Sequence, residues 1–495
     1  MAYSITQTCC ADASCVSVCP VNCIHPTPDE PDFGTTDMLY IDPSTCIDCG
    51  ACTDACPVDA IFPADELTGP LRIYPEINAG FFDGKDGGSG DPAPNFHEWG
   101  PPVFSRVIPS DLPALKVAVV GTGPAGMYAV RDLLLHTDFR VTLIDRLPVP
   151  GGLVRYGVAP DHPATKKIGE TFARFHAHPR VRLRLGLQVG RDVTTADLAA
   201  QHDAVIYAVG ASADRRLGIP GEDLPGSTSA TSVVAWYNGH PEATAETIDL
   251  SGERLAVVGN GNVALDVARV LLSDPDALAS TSISPDALSR LRSSRLREIV
   301  MLARRGPEDA ACTPSELRAL IQHEDIELVV DADSWPVDTA FASEQGKLLR
   351  SLRRERVDYA GSPRSDRRRI VLRFNSAPTR VVGDDRVRGV RVTGDGGEVE
   401  ISTGGVVRAI GYRGRPVPGL PFDEHTGTVP NTGGRVDGVP GAYVVGWIKR
   451  GPSGGIGANR RCAEETVGAL LDDIASGVFT HGGASCFRRK SFLGR

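Results

Sequence analysis

Lys116-Val-Ala-Val-Val120-Gly121-Thr-Gly123-Pro-Ala125-Gly126-Met-Tyr-Ala-Val130 reads as an apolar strand running into G-x-G-x-x-G and then into a helix. Glycine at the first position permits a tight turn, at the second it lets backbone approach a pyrophosphate, and at the third it lets helix and strand pack closely. The helix N-terminus then faces the phosphate charge. About twenty residues on, where the fold places a ribose partner, the strand Arg140-Val-Thr-Leu-Ile144 ends in Asp145. An acid there accepts a bond from a free ribose 2'-OH, as in FAD or NAD. A lone glycine motif says little, but strand, motif, helix, strand and terminal acid together specify a Rossmann-like α/β nucleotide site built on Gly121, Gly123, Ala125, Gly126 and Asp145.

Reading on, Pro150-Gly-Gly152-Leu153-Val-Arg155-Tyr-Gly157 is a glycine-rich segment suited to lying along a flavin, which decides for FAD and adds Gly152 and Leu153 to the site. A second fingerprint follows in Arg254-Leu-Ala-Val-Val258-Gly259-Asn-Gly261-Asn262-Val263-Ala264-Leu-Asp266. Its next strand, Glu298-Ile-Val-Met-Leu302, ends not in an acid but in Arg304-Arg305-Gly-Pro. Guanidinium groups make charge-assisted, often bidentate bonds to phosphate. The first site is therefore expected to take FAD and the second the 2'-phosphate of NADP(H). A solvated arginine pair is the plainer explanation, but this pair sits at the strand end where the second fingerprint predicts a nucleotide contact.

Upstream, Cys46-Ile-Asp-Cys49-Gly-Ala-Cys52-Thr-Asp-Ala-Cys56-Pro57 has the C-x2-C-x2-C-x3-C-P spacing of an iron-sulfur loop. Three of its thiolates close on one cluster and the fourth reaches another, so a partner run is required. Cys9-Cys10-Ala-Asp12-Ala-Ser-Cys15-Val-Ser-Val-Cys19-Pro20 supplies it, with aspartate in the second ligand place. Iron in such clusters prefers soft thiolate. The expected centres are a [4Fe-4S] on Cys46, Cys49, Cys52 and Cys19, and a [3Fe-4S] on Cys9, Cys15 and Cys56. A fourth iron held by Asp12 or Cys10 would convert the latter to [4Fe-4S]. Two interlocked runs, each followed by proline, weigh against zinc, and the lack of a basic-then-apolar leader weighs against disulfides. Cys23 reads as an unliganded thiol beside a cluster, and Cys312, Cys462 and Cys486 as ordinary core or tail residues. Residues 1 to 78 resemble a bacterial seven-iron ferredoxin.

Residues 115 to about 470 resemble an adrenodoxin-reductase-type ferredoxin-NADP+ reductase, a group related to the small subunit of glutamate synthase. The resemblance rests on both fingerprints, Arg304-Arg305-Gly-Pro, Thr313-Pro-Ser-Glu316-Leu-Arg and Gly446-Trp447-Ile-Lys-Arg450-Gly-Pro-Ser-Gly454. It implies that Asn262, Arg304, Arg305 and Glu316 contact NADP(H) and that Trp447 and Gly454 lie over flavin and nicotinamide. The expected architecture is multidomain: an α+β ferredoxin-like domain (1–78), a linker (79–112), an FAD domain (113–245 and 406–480), an inserted NADP(H) domain (246–405) and a tail (481–495). Both nucleotide domains are expected to be Rossmann-like α/β.

Charge is lopsided: the net value is −10, and residues 1–71 contain eleven acids and no Lys or Arg. That balance argues against nucleic acid as a partner, and no apolar run approaches the roughly 20 residues needed to span a bilayer. The expected location is cytoplasmic, where thiolates stay reduced. The arginines between Arg350 and Arg369 read either as a patch that docks an acidic ferredoxin or as solvated side chains. The expected activity is electron transfer between NADPH and ferredoxin-type clusters through FAD, with ferredoxin or another one-electron acceptor protein as partner. No acid-base catalyst is required, and His162 reads as a loop residue. An electron-input subunit of a larger enzyme and an iron-sulfur redox sensor are the competing readings.

Overall fold

The computed structural model describes residues 2–83, 114–244, 248–336, 339–363, 367–394 and 397–477. Most of the expected linker and all of the expected tail, with Cys486, lie outside them. The described chain forms two compact units.

The first unit combines the residues up to 83 with Gly151–Thr171 and Ser212–Arg413. At its N-terminus, Tyr3–Ile5 pairs antiparallel with Ile61–Pro63, and Ile24–His25 with Tyr40–Ile41. Helix Tyr74–Gly80 ties the two pairs together through Asn78, whose side chain is 1% exposed. Its Oδ1 accepts from the amides of Ile5 (3.1 Å) and Ile41 (2.9 Å), while Nδ2 donates to the carbonyls of Ile5 and Tyr74, both at 2.8 Å. One amide thus satisfies backbone groups of both strand pairs that would otherwise be buried unpaired. Packing runs past residue 78: Phe81 stacks on Tyr40 with ring centroids 4.2 Å apart, and Phe82 meets His25 edge-on at 5.8 Å.

The remainder of this unit is built on a seven-stranded parallel sheet in the order Ser227–Ser229, Val406–Arg408, Arg254–Val258, Glu298–Leu302, Arg368–Arg373, Ile326–Asp331, Arg353–Glu355. Its inner strands carry buried apolar runs, at 255–258, 299–302 and 370–372, as strands covered on both faces must. Helix Asn262–Leu272 packs one face, and an antiparallel three-stranded sheet (377–402) packs near the other. Glu298, fully buried, is neutralised between Arg254 and Arg369, whose Nε donates to it at 2.6 Å.

That network disposes of much of the arginine patch. Arg369 pairs with Glu298 and Glu355, Arg368 donates to the carbonyl of Leu272 at 2.9 Å, and Arg354 donates to that of Ala332 at 2.8 Å while lying over the Trp335 ring. Arg353 pairs with Glu327 at 2.8 Å. Arg354, Arg368 and Arg369 are thereby spent on the sheet, while Arg353 and Arg356 stay exposed; a sequence pattern counts charges without showing their partners.

The second unit comprises 114–150, Phe172–Ala211 and 414–477. Its sheet runs Asn431–Thr432, Arg435–Val436, Ala442–Val444, Ala204–Tyr207, Lys116–Val120, Arg140–Ile144, Val181–Arg184, parallel from Ala442–Val444 onward. Helices Pro124–His136 and Ala458–Ala475 pack against one another.

Candidate dinucleotide and iron-sulfur sites

In the second unit, Val120 and Ile144 are register partners, so the residues that follow them emerge side by side at the carboxyl edge of the sheet, where such folds bind ligands. Gly121 donates its amide to the Ile144 carbonyl at 2.7 Å. A Cβ on Gly121 would lie 2.3 Å from the Ala208 carbonyl oxygen, which makes glycine obligatory there. Gly123 caps helix Pro124–His136, with Ala125 and Gly126 buried in its first turn. Asp145 accepts from the Thr122 amide at 2.9 Å and from its hydroxyl, so the acid is held against the glycine loop, and its other oxygen accepts from the Leu147 amide at 2.9 Å. Gly446 is seated against the same helix: at φ 77°, its Cβ would lie 2.5 Å from that of Ala125. Trp447 follows directly and donates from Nε1 to the carbonyls of Ser453 (3.1 Å) and Gly454 (3.2 Å). The glycine cradle, helix N-terminus and acid suit the pyrophosphate and ribose of FAD. Gly152 and Leu153 lie in the first unit, opening helix Gly152–Tyr156.

The first unit repeats the geometry. A Cβ on Gly259 would lie 2.2 Å from the Ala409 carbonyl oxygen, and Gly261 caps helix Asn262–Leu272, on which Val263 packs into the core. Val258 and Leu302 are register partners, which places Arg304 and Arg305 beside the loop, both exposed. Arg305 makes a loose 3.5 Å ion pair with Asp309. Asn262 Oδ1 accepts from the Thr313 amide at 2.8 Å, joining the glycine loop to helix Pro314–Ile321, which carries Glu316. This set fits a nucleotide bearing a ribose phosphate.

Beneath it lies a cluster that sequence reading did not assemble. Ligand atoms of His162, Asp266 and Glu316 lie within 4.8 Å of one another. Arg269 pairs with Asp161 at 2.7 Å and Asp266 at 2.8 Å, with Glu316 at 3.9 Å. Burial and the neighbouring Asp266 push the Glu316 carboxyl above its ordinary range. Burial also works against the Asp161 charge, but the hydrogen bond and charge of Arg269 prevail and hold its carboxyl low. His162, read as a loop residue, precedes helix Pro163–Lys166 and accepts from Arg269 at 3.1 Å. The signal in sequence was Asp266 and Arg269 one turn apart beyond the second fingerprint, with Asp161-His162 beyond the flavin segment.

The cysteines of the two runs lie in two groups. Cys9, Cys10, Asp12, Cys15 and Cys56 line a small pocket together with Ile5, Leu39, Val58 and Ile61. Burial pushes the Cys9 thiol up to about 11, opposed by backbone amides of Leu39 and Ala11 that bond its sulfur. Cys19, Cys46, Cys49 and Cys52 form the other group: Cys52 feels the charges of Cys46, Cys19 and Cys49. Cys23, buried, has its sulfur 3.4 Å from that of Cys19, and this hydrogen bond draws the Cys19 pKa down. Two thiol groups of this kind suit iron and sulfide, which bind deprotonated sulfur. Cys312 and Cys462 are buried elsewhere.

The profile of the pyridine nucleotide-disulphide oxidoreductases matches residues 115–323 and that of the 4Fe-4S binding domain residues 39–62. A protein of Mycobacterium tuberculosis named probable ferredoxin/ferredoxin-NADP reductase is 48% identical over 495 residues, spanning 97% of this chain and 85% of its own. The mitochondrial NADPH:adrenodoxin oxidoreductase of Arabidopsis thaliana is 39% identical over 403 residues, 74% of this chain and 83% of that one. The structure of M. tuberculosis FprA in complex with NADPH superposes with a TM-score of 0.68 at 42% identity, covering 74% of this chain and 86% of that one. Fold, fingerprints and thiolate runs agree with these likenesses, and the chain belongs to the ferredoxin/ferredoxin-NADP reductase family.

Proposed function

We propose that the chain is an oxidoreductase moving electrons between NADPH and its own iron-sulfur clusters by way of FAD. The observation that carries the reading is the contrast between two equivalent strand ends: Asp145 beside the first glycine loop and Arg304-Arg305 beside the second. The acid matches a free ribose hydroxyl and the arginines match a ribose phosphate, so the two sites take different dinucleotides. Bound flavin supplies the exchange between two-electron nicotinamide and one-electron iron, which no side chain provides.

The chain's own residues bind and orient. Gly121 to Gly126 with Asp145 hold the FAD pyrophosphate and ribose, Trp447 and Gly454 border its ring, and Gly259 to Val263 with Arg304, Arg305 and Glu316 hold NADP(H). Cys19, Cys46, Cys49 and Cys52 take a [4Fe-4S] cluster. Cys9, Cys15 and Cys56 take a [3Fe-4S] cluster, because the Asp12 carboxylate is turned back on Ser14, accepting from its amide at 3.0 Å and its hydroxyl at 2.8 Å. Thiolates that must stay reduced favour the cytoplasm, and among the described residues no helix is long and apolar enough to cross a membrane. A separate ferredoxin or other one-electron protein completes the circuit.

Anaerobic titration of the iron-reconstituted protein with NADPH, followed by visible and EPR spectra with NADH alongside, tests the reading. NADPH should bleach the flavin and alter a cluster signal while NADH does so poorly. Oxidised clusters beside reduced flavin would overturn the internal chain, and no response at all would overturn the reductase reading.

A further inference from the structure

The ferredoxin-like part has two dissimilar ends. On one, the residues flanking the Cys9, Cys15 and Cys56 pocket are tied into the rest of the first unit. Leu39, whose amide bonds the Cys9 sulfur, lies two residues from Asp37, whose carboxylate accepts from the Ser315 hydroxyl at 2.8 Å. Asp59, three residues beyond Cys56, pairs with Lys167. Tyr74 bonds Arg318, on the same helix as Ser315.

The other end is open. Four large apolar residues are exposed among the described residues: Val18 (40%), Ile47 (58%), Leu135 and Leu153. Val18 precedes Cys19 and Ile47 follows Cys46, so both adjoin thiols of the same four-cysteine group, whose short helical segments Val16–Val18 and Ala51–Ala55 pack together. Ile47, Asp48 and Cys49 are exposed in succession, which leaves one ligand position at the surface, and Asp54 is exposed nearby. The surrounding sequence is wholly acidic: residues 1–71 contain no Lys or Arg.

Resting on the reading above, we propose that the surface formed by Val18, Ile47 and Cys49 docks a separate one-electron carrier protein with a basic rim around an apolar centre. Apolar contact at the middle and opposite charge around it give a short-lived, salt-sensitive encounter suited to electron exchange. An exposed cluster ligand beneath the contact keeps the transfer distance short. With a ferric haem protein as carrier, one NADPH becomes NADP+ and one proton while two ferric haems become ferrous.

Ferricytochrome c, a basic haem protein, serves as the probe with the full-length, cluster-loaded protein. Its Kd is measured by calorimetry at low and at physiological salt, and its NADPH-dependent reduction is followed alongside. Ile47→Lys and, separately, Val18→Lys should each weaken binding and lower kcat/KM about tenfold. The cluster EPR signals and ferricyanide reduction should stay unchanged, and Leu135→Lys should bind as the parent does. The parent's Kd should rise by at least tenfold between the two salt concentrations. Binding indifferent to salt, or indifferent to both surface variants, overturns the proposal. Should one variant lose its clusters, the other variant and the parent's salt dependence still decide. Clusters that stay oxidised with NADPH while cytochrome c binds here would refute the electron path but leave the docking surface standing.

Discussion

Arg304 and Arg305 follow a buried strand whose neighbours are apolar, so their exposure reflects the end of the strand and not a generally charged surface. Each charge-assisted bond to a phosphate contributes about 1.5 to 3 kcal/mol. Replacing Arg304 by Ala should therefore lower kcat/KM for NADPH by roughly 10- to 100-fold and leave NADH almost untouched, as parallel initial-rate assays would show. Arg269 makes a different kind of contribution. It is buried beside Asp161, Asp266 and Glu316, and removing one partner of a buried ionic group costs about 3 to 5 kcal/mol. Arg269→Ala should lower the unfolding free energy read from urea titration by about that amount. Glu316 carries the opposite sign: its folded pKa is raised, so the fold retains a proton that the unfolded chain has already released, and stability falls as pH rises from about 4.3 through the folded value. Glu316→Gln should raise the melting temperature at pH 7 to 8, and the gain should vanish below about pH 4.

Elements are positioned by a few close approaches. A methyl on Gly121 would meet the Ala208 carbonyl at 2.3 Å, so Gly121→Ala must push the first fingerprint strand from its neighbour. Loss of bound flavin, read as the ratio of visible to protein absorbance, is the expected outcome. Asn78 joins two short strand pairs, neither of which has enough length to be stable alone. Asn78→Ala leaves buried amides of Ile5 and Ile41 without acceptors, which at about 1 to 3 kcal/mol each should make the N-terminal part open first in hydrogen exchange while both parallel sheets stay protected.

Across the molecule, the N-terminal part meets the nucleotide-binding part of its unit through polar groups: Asp37 with Ser315, Asp59 with Lys167 and Tyr74 with Arg318. Of these, the exposed Asp59–Lys167 ion pair is the one weakened by salt. Asp37→Asn, or rising ionic strength, should slow cluster reduction in stopped-flow while flavin reduction by NADPH keeps its rate. The repeated strand-loop-helix units and the spacing of the cysteines were legible in sequence because they are local: the hydrophobic pattern sets the strand, glycine sets the turn, and covalent reach limits which thiols share a cluster. The contrast of Asp145 with Arg304-Arg305 was legible for the same reason, since each stands directly after a predictable strand. What neighbours a side chain across the fold was not. Arg354, Arg368 and Arg369 read as a surface patch in sequence, yet tertiary contacts turn them inward onto carbonyls and carboxylates. His162, Asp266 and Glu316 are separated by about fifty residues or more in the chain, and only parallel pairing and helix packing bring them together. By itself the sequence determined that the chain is built for FAD, NADP(H) and iron-sulfur chemistry, because motif chemistry is set by residue type and spacing. The tertiary structure decided which charges are spent on stability and which thiolate site faces outward, because burial and partners depend on segments distant in sequence.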